Sequence, residues 1–323
     1  MKILITGASG FIGRYLSFFA ADHGHEVVGT YLSETDLSSR TPKHSGIRWV
    51  GLDMRKVAEV RALVKETQAD AVFHLAAQAY AQKAWKDPLD TFDTNVSGTI
   101  RLYEALRETP PPRGVLLTAS ASAYGAPPSL PVSEDAPFRP TNPYGVSKAC
   151  QELLSTQYAS NFGLRIVRAR LFGTTGPGKT GDALNDFARQ IAALERAGNP
   201  AELRVGSLDK RRDISDIRDS VHALWTVFEK GTPEQAINVG AGQSFSIQEI
   251  VDELVRLARV PIAVVRDPAL VRPTDEPDNR ADIRRLKSLG YSPRLRMEET
   301  IRDSLNYWRE EVTSGPGLTG PAR

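Results

Sequence analysis

The chain has 323 residues, 41% of them apolar, with 41 basic and 39 acidic side chains and a net charge of +2. That is enough apolar material for one large domain, or a domain with a smaller lobe, and the near-balanced charge gives no footprint for nucleic acid or an anionic membrane. Cys150 stands alone, which excludes an intrachain disulfide, and His23, His25, His44, His74 and His222 lack ligand spacing, so no metal is expected.

Strand-like and helix-like runs alternate from the start. "KILIT" (2–6) precedes a helical pattern carrying Ile12, Leu16 and Phe19. "EVVGTY" (26–31) and "IRWVGL" (47–52) follow, then a helix at 56–67 and "DAVFHLA" (70–76). A long helix is predicted over 88–108, stopped by Pro110 to Pro112. "GVLLTAS" (114–120) is the next strand, a helix opens at Pro143, and "LRIVRAR" (164–170) follows it. Continuous apolar strands spaced by helices predict an α/β fold: a Rossmann-type, doubly wound parallel sheet covered on both faces.

Past residue 171 the pattern is less regular. A loop at 173–182 leads to a helix ending near 197. A helix lies within 211–231, and "AINVG" (236–240) reads as a strand. Helices are expected at 246–258, 281–289 and 297–311. The expected division is a dinucleotide-binding domain over 1–170 and a mainly substrate-binding α/β lobe over 171–312, with segments returning to the first domain. A flexible tail is expected over 313–323. No 18-residue apolar run is present, and the first strand-like run begins at residue 2. These features predict a soluble, cytoplasmic protein without a signal peptide.

"TGASGFIG" (6–13) places Gly7, Gly10 and Gly13 between a strand and a helix. Glycines allow a tight turn and a close approach of a dinucleotide pyrophosphate, whose charge then meets helix N-terminal amides. Phe11, Ile12 and Arg14 open that helix and belong to the expected cofactor set. A carboxylate ending the second strand would select NAD, but "TYLS" (30–33) supplies none and Glu34 and Asp36 come late. Arg14 and Arg40 could offset a 2′-phosphate. The reading leans to NADP, with NAD the alternative. Tyr31 and Met54 join the cofactor set. Asp53 ends the third strand, where it could accept from adenine or cap the next helix.

In "PYGVSK" (143–148) Tyr144 and Lys148 lie one turn apart. A phenol ordinarily titrates near pH ~10, too high for a base at neutrality. An adjacent ammonium is expected to lower it. Pro143 fits the first helical turn. Ser120, at the end of the fifth strand, is placed to hydrogen-bond a substrate oxygen. Ser122 is the second choice, and Tyr124 is expected to shape the substrate pocket.

"TGASGFIG", "HLAAQ" (74–78), "NVSGT" (95–99), "SASAYG" (120–125), "PYGVSK", "RLFGTTGPG" (170–178) and "RRDISDIRD" (211–219) resemble the extended short-chain dehydrogenase/reductase family of nucleotide-sugar enzymes. The resemblance covers residues 1–310. "VGSLDKRRDISDIRD" and "VRPTDEP" bring it nearest to the reductases that convert GDP-4-keto-6-deoxy-mannose to GDP-rhamnose. It implies a catalytic triad of Ser120, Tyr144 and Lys148. It also implies cofactor contacts from Leu75, Ala76, Ala77 and Asn95, and from Lys148 to the nicotinamide ribose. Arg212, Arg272 and Arg189 would face the nucleotide diphosphate, and the helices around 88–108 and 144–160 would form a bundle across a homodimer.

Departures narrow the reaction. Related 4,6-dehydratases carry an acid within two residues of the Ser120 position, where this chain has Ala121 and Ser122, so dehydration is disfavoured. The nearest reductases often keep a Glu at the Ser122 position as well. Gly173 stands where the family usually has Asn. "GTTGPGKT" (173–180) matches a nucleoside-triphosphate loop, but Pro177 removes a backbone donor and no later strand ends in a clear magnesium-binding Asp. Lys179 is a candidate substrate-phosphate contact. Three functions are carried forward: an NADP(H)-dependent reductase of a nucleotide-linked 4-keto-6-deoxy sugar, a nucleotide-sugar epimerase holding NAD tightly, and a non-catalytic dinucleotide sensor.

Overall fold

Strands apolar on both faces must be covered on both faces, and helices alternate with them through the first half of the chain. The computed structural model describes residues 1–38, 44–127, 129–198, 201–271 and 278–314. In chain order it opens with β1 (Lys2–Thr6), α1 (Phe11–Asp22), β2 (Glu26–Tyr31), α2 (Glu34–Ser38), β3 (Ile47–Gly51), α3 (Val57–Thr67) and β4 (Ala71–His74). Next come α4 (Ala81–Lys86), α5 (Pro88–Phe92), a π-helical turn (Asp93–Ser97), α6 (Gly98–Arg107), β5 (Gly114–Ser120), α7 (Pro143–Phe162) and β6 (Ile166–Leu171). The remainder is β7 (Gly173–Thr175), α8 (Ala183–Ala197), β8 (Ala201–Val205), β9 (Arg211–Asp216), α9 (Ile217–Lys230), β10 (Ala236–Val239), β11 (Ser244–Ser246), α10 (Ile247–Leu257), β12 (Ile262–Arg266), α11 (Arg284–Ser288) and α12 (Met297–Ser314).

The chain divides into two compact units. The first comprises Met1–Phe172, Val221–Val239 and Asp282–Ser292. Its sheet has the order β10-β6-β5-β4-β1-β2-β3 and is parallel throughout. This is the doubly wound α/β sheet that the strand pattern predicts. Strand order reverses between β1 and β4, which opens a crevice at their C-terminal ends. Alternation assigns the two faces. Val72 of β4 packs with Leu4, Leu102, Tyr103, Leu117 and Tyr158 on one side. Phe73 turns to the other, where its ring meets Trp225 and Phe228 of α9.

The helix expected over 88–108 is interrupted. Asp87 caps α5 by accepting from the Asp90 amide, and the π-helical turn then separates α5 from α6. Helix α7 starts as its sequence dictates: Asn142 accepts from the Gly145 amide, Pro143 occupies the first turn, and Gly163 ends the helix at φ 71°.

The second unit comprises Gly173–Ser220, Gly240–Ala281 and Pro293–Arg323. It holds a three-stranded sheet, β11-β9-β7, and a parallel pair, β12-β8. Its core joins Leu184 and Ile191 of α8, Ile250 and Leu254 of α10, and Ile301, Leu305 and Trp308 of α12. Helix α12 continues to Ser314, past the start of the expected tail, and residues 315–323 lie outside the described ones. Asp213 of β9 pins this unit. It is buried and accepts backbone hydrogen bonds from Ala241, Gly242 and Ala281 at 2.6, 3.0 and 2.9 Å. Burial nonetheless raises its pKa to about 6, against the pull of those three donors.

Because the folded acid holds its proton more tightly than the unfolded one, its contribution to stability is full at low pH and is lost as pH rises from about 4 to 6. Asp213→Asn removes that titration and places an amide among three donors. The variant is expected to be less stable than wild type, with a gap that narrows between pH 4 and 6 by on the order of 2–3 kcal/mol. Urea unfolding at both pH values measures this, and a pH-independent gap would refute it.

Candidate active site

The glycine turn after β1 is shaped by steric exclusion. Gly7 has φ 70°, and a Cβ there would lie 2.7 Å from the Ala76 amide nitrogen. A Cβ on Gly13 would lie 2.3 Å from the Gly7 carbonyl oxygen, so α1 can approach β1 only with glycine there. At Gly10 the one nearby atom is the Gly7 oxygen at 3.2 Å, which leaves its outer side open. Gly10 precedes the first turn of α1 and has no side chain to cap it. The start of a helix behind an open, side-chain-free surface suits a pyrophosphate, so the residues present fit a dinucleotide. Phe11, Ile12 and Arg14 follow on that turn, and the Arg14 amide donates to the Gly10 carbonyl at 2.9 Å.

Thr30 and Thr6 tie the strand ends around this turn. The Gly7 amide donates to the Thr30 hydroxyl at 2.9 Å, and the Ala76 amide to the Thr6 hydroxyl at 3.2 Å. Leu75 donates its amide to the Thr6 carbonyl. Leu75, Ala76 and Ala77 are half-buried beyond β4. Tyr31 ends β2 and donates its phenol to Glu34, so the carboxylate that comes late in sequence returns to the strand end. Asp53 does not cap α3, contrary to one of its two expected roles. Helix α3 begins after Lys56, and the Asp53 carboxylate is taken by the Arg55 guanidinium at 2.8–3.1 Å, which holds its pKa below the usual range. Met54 is buried, with its Cβ against Gly98. Arg40 lies outside the described residues.

Behind the strand ends lies a buried polar network. Asn95, on the π-helical turn, accepts from the Gln78 amide at 2.7 Å and donates to the Gln78 carbonyl and to Ser147 of α7. His74 contacts the hydroxyls of Thr6 (2.7 Å) and Thr99 (2.9 Å), and burial lowers its pKa to about 3. The Thr99 hydroxyl spends its proton on the Asn95 carbonyl, so the neutral imidazole carries its proton on Nε2 and accepts from Thr6 at Nδ1.

Ser120 ends β5 and is 8% exposed. Its oxygen accepts from the Ser122 amide at 3.2 Å, and it lies close enough to the Tyr144 phenol to favour the phenolate. Tyr144 reaches it because α7 begins hard against this turn. A Cβ on Gly145 would lie 2.4 Å from the Ser122 carbonyl. One turn on, the Lys148 ammonium is buried 5.9 Å from the Tyr144 ring centre and donates to the Thr118 carbonyl at 3.0 Å. The expected electrostatics differ from the observed ones. Burial raises the Tyr144 pKa, and the neighbour that opposes this is Ser120 rather than Lys148. Lys148 is itself depressed to about 8 by burial, and Glu152 opposes that shift. The cause is desolvation, which penalises both charged forms in the same enclosure.

Tyr124 is not a pocket residue. It is 1% exposed, donates to Asn238 at 2.7 Å and accepts from Arg170 at 2.7 Å, so packing and two hydrogen bonds consume it. Ser122 remains half-buried beside Ser120.

The other substrate candidates belong to the second unit. Lys179 sits in the loop between β7 and α8, with its pKa lowered by burial. The triphosphate-loop pattern there is closed by its own chain: Asp182 caps α8, accepting from the Asn185 amide at 2.9 Å and from Thr175 at 2.7 Å. A carboxylate therefore occupies the helix end where a phosphate would bind. Arg212 is on β9 and donates to the Arg211 carbonyl, and Arg189 is half-buried on α8. Arg272 lies outside the described residues. Gly173 is enforced by packing, because a Cβ there would lie 2.5 Å from the Asp213 carbonyl oxygen. Among the described residues no His, Cys, Asp and Glu cluster could hold a metal, and no helix is long and apolar enough to cross a membrane.

The GDP-mannose 4,6 dehydratase family model matches residues 4–304. The chain belongs to this family. It is 31% identical to the GDP-6-deoxy-D-mannose reductase of Pseudomonas aeruginosa, over 96% of this chain and 98% of that protein. It is 28% identical to a UDP-glucose 4-epimerase of Streptomyces lividans, over 84% of this chain and 87% of that one. The solved structure of RMD from Pseudomonas aeruginosa complexed with NADPH matches with a TM-score of 0.82 at 29% identity, over 96% of this chain and 99% of that one. The GDP-mannose 4,6 dehydratase family belongs to the extended short-chain dehydrogenases/reductases, which are NAD(P)-dependent enzymes, and this member is an enzyme of that type.

Within this family member Tyr124 separates stability from binding. Tyr124→Phe leaves Arg170 and Asn238 each short of a buried partner and is expected to cost about 1–3 kcal/mol. Urea unfolding measures that loss, and the KM for substrate should stay within about twofold. A KM raised tenfold at unchanged stability would return Tyr124 to the pocket.

Proposed function

We propose that the protein is an NADP(H)-dependent reductase of a nucleotide-linked 4-keto-6-deoxy sugar, with GDP as the nucleotide, acting in the cytoplasm. The observation that carries this reading is the Tyr144 phenol beside Ser120, with the Lys148 ammonium 5.9 Å from its ring centre, at a strand end that bears no carboxyl group at Ala121 or Ser122. A keto oxygen accepting hydride needs a proton donor, and a phenol whose pKa burial raises is protonated at neutral pH. Ser120 would orient the ketone, Tyr144 would protonate it, and Lys148 would place positive charge beside the phenolate that remains.

Gly7, Gly10 and the first turn of α1 would hold the cofactor pyrophosphate, with Leu75, Ala76, Ala77, Asn95 and Lys148 along the rest of the cofactor. When bound, the nicotinamide supplies the hydride. The NADPH complex of RMD supports NADP, whereas Glu34 of α2, hydrogen-bonded by Tyr31 at the end of β2, favours NAD by repelling a 2′-phosphate. Lys179, Arg189, Arg212 and Arg272 are proposed contacts to the substrate diphosphate. A second reading, a nucleotide-sugar epimerase, draws support from the similarity to UDP-glucose 4-epimerases. Its first step removes a proton from a hydroxyl, which needs the Tyr144 phenolate, a form that the raised pKa makes scarcer at neutral pH.

The test is an NADPH and NADH oxidation assay against GDP-, dTDP-, UDP- and CDP-linked 4-keto-6-deoxy sugars. Stoichiometric NADPH oxidation with the GDP sugar is expected, with kcat lowered about 10²–10⁴-fold in Tyr144→Phe. Sugar interconversion without net cofactor oxidation would establish the epimerase instead, and full activity in Tyr144→Phe would remove the catalytic reading altogether.

A homodimer is proposed alongside it. Trp85 of α4, Leu89 of α5 and Leu153 of α7 are 65%, 82% and 63% exposed on helices that pack together. Sedimentation equilibrium should give twice the chain mass, and Leu89→Asp/Leu153→Asp should give a folded monomer. A monomeric wild type would refute this.

A further inference from the structure

The inward face of α7 carries a third charged group beyond Tyr144 and Lys148. Glu152 lies four residues past Lys148 and is fully buried. Residues four apart on a helix have Cβ atoms about 5–6 Å apart on one face. Arg170 of β6 grips Glu152: its Nε donates to both carboxylate oxygens at 2.8 and 2.9 Å, and a terminal nitrogen sits 2.8 Å from one of them. Arg170 is in turn fixed by the Tyr124 hydroxyl and the Glu134 carbonyl, each at 2.7 Å. The carboxylate thus has no freedom to turn away, and its charge stands one helical turn behind the ammonium.

Other groups around Lys148 supply little compensation. His74 of β4 is neutral, Tyr144 is protonated, and β5 offers the Thr118 carbonyl. Arg168 and Arg170 of β6 are cations, and a like charge disfavours a nearby ammonium. Glu152 is the group that opposes the loss of the Lys148 proton on burial.

We propose that Glu152 is a positioning residue for the reaction: clamped by Arg170, it holds the Lys148 ammonium charged and in place beneath the Thr118 carbonyl. The role rests on Lys148 belonging to the reaction centre. The Glu152 carboxylate is engaged by Arg170 and lies one helical turn from Lys148, so it would act through Lys148. Tyr124 and Arg170, which the site reading leaves as packing, become the frame that keeps this carboxylate in register.

The test follows the Lys148 ammonium by NMR of protein labelled with ¹³C,¹⁵N-lysine, with the signal assigned through Lys148→Arg. The wild-type midpoint is expected near the depressed value of about 8. In Glu152→Gln it should fall by about one pH unit, as expected for losing an opposite charge at this separation. Because Glu152→Gln strands Arg170 and could prevent folding, Glu152→Gln/Arg170→Gln removes both charges at once and should show a fall of the same sign. Where substrate turns over, the alkaline limb of kcat against pH should move with the titration. An unchanged midpoint in either folded variant, with stability alone reduced, overturns the proposal by making Glu152 purely structural. The titration requires neither cofactor nor sugar, so it decides the coupling separately from the reductase reading, which the nucleotide-sugar assay decides.

Discussion

A buried ammonium must be compensated, and the placement of α7 on the sheet follows from how this chain meets that demand. Lys148 finds the Thr118 carbonyl at its strand, and the residues that continue its stripe find partners at matching depth. Gln151 donates to Thr99, Glu152 meets Arg170, and Ser155 hydrogen-bonds Tyr103. Each pairing fixes the helix in rotation and in translation. Sliding α7 by one residue would break all of them, so the polar stripe specifies register more tightly than apolar packing could.

The same logic places the candidate active site at the edge of a rigid frame. Hydroxyls of Thr6, Thr30, Thr99 and Thr118 join β1, β2, β4, β5 and α6 behind the strand ends. Glycines at 7, 13 and 145 let backbone replace side chain where α1 and α7 approach the sheet. The result is a shelf of strand ends that carries Ser120, with Tyr144 presented beside it by the first turn of α7.

Much of this was legible in the sequence, for physical reasons that can be named. Continuous apolar runs separated by helical patterns leave few alternatives to a parallel sheet, so the fold class followed. The glycine turn was readable because steric exclusion leaves glycine as the one residue that fits. The second half was less readable. Strands β7, β8, β9, β11 and β12 are not apparent in the sequence: β7 lies within the expected loop and, like β11, has three residues, β12 carries three exposed residues of five, and β9 reads "RRDISD". Tyr124 was misplaced because its neighbours in sequence suggest a pocket, whereas its burial depends on Asn238, far along the chain. The sign of the Tyr144 shift was misjudged because spacing reveals a neighbouring charge but not how little water surrounds the pair. The Glu152–Arg170 pair has no local signature, since its members meet only once α7 lies across β6.

The π-helical turn at Asp93–Ser97 sets the azimuth of everything before it. A regular helix advances about 100° per residue, and the wider turn accommodates one residue that the α-helical count would not. Asn95 can therefore aim at Gln78 and Ser147 while Thr99, one turn on, still aims at His74. Straightening that turn would leave α6 seated and swing Asn95 out of phase, unhooking the Gln78 backbone from Ser147 of α7.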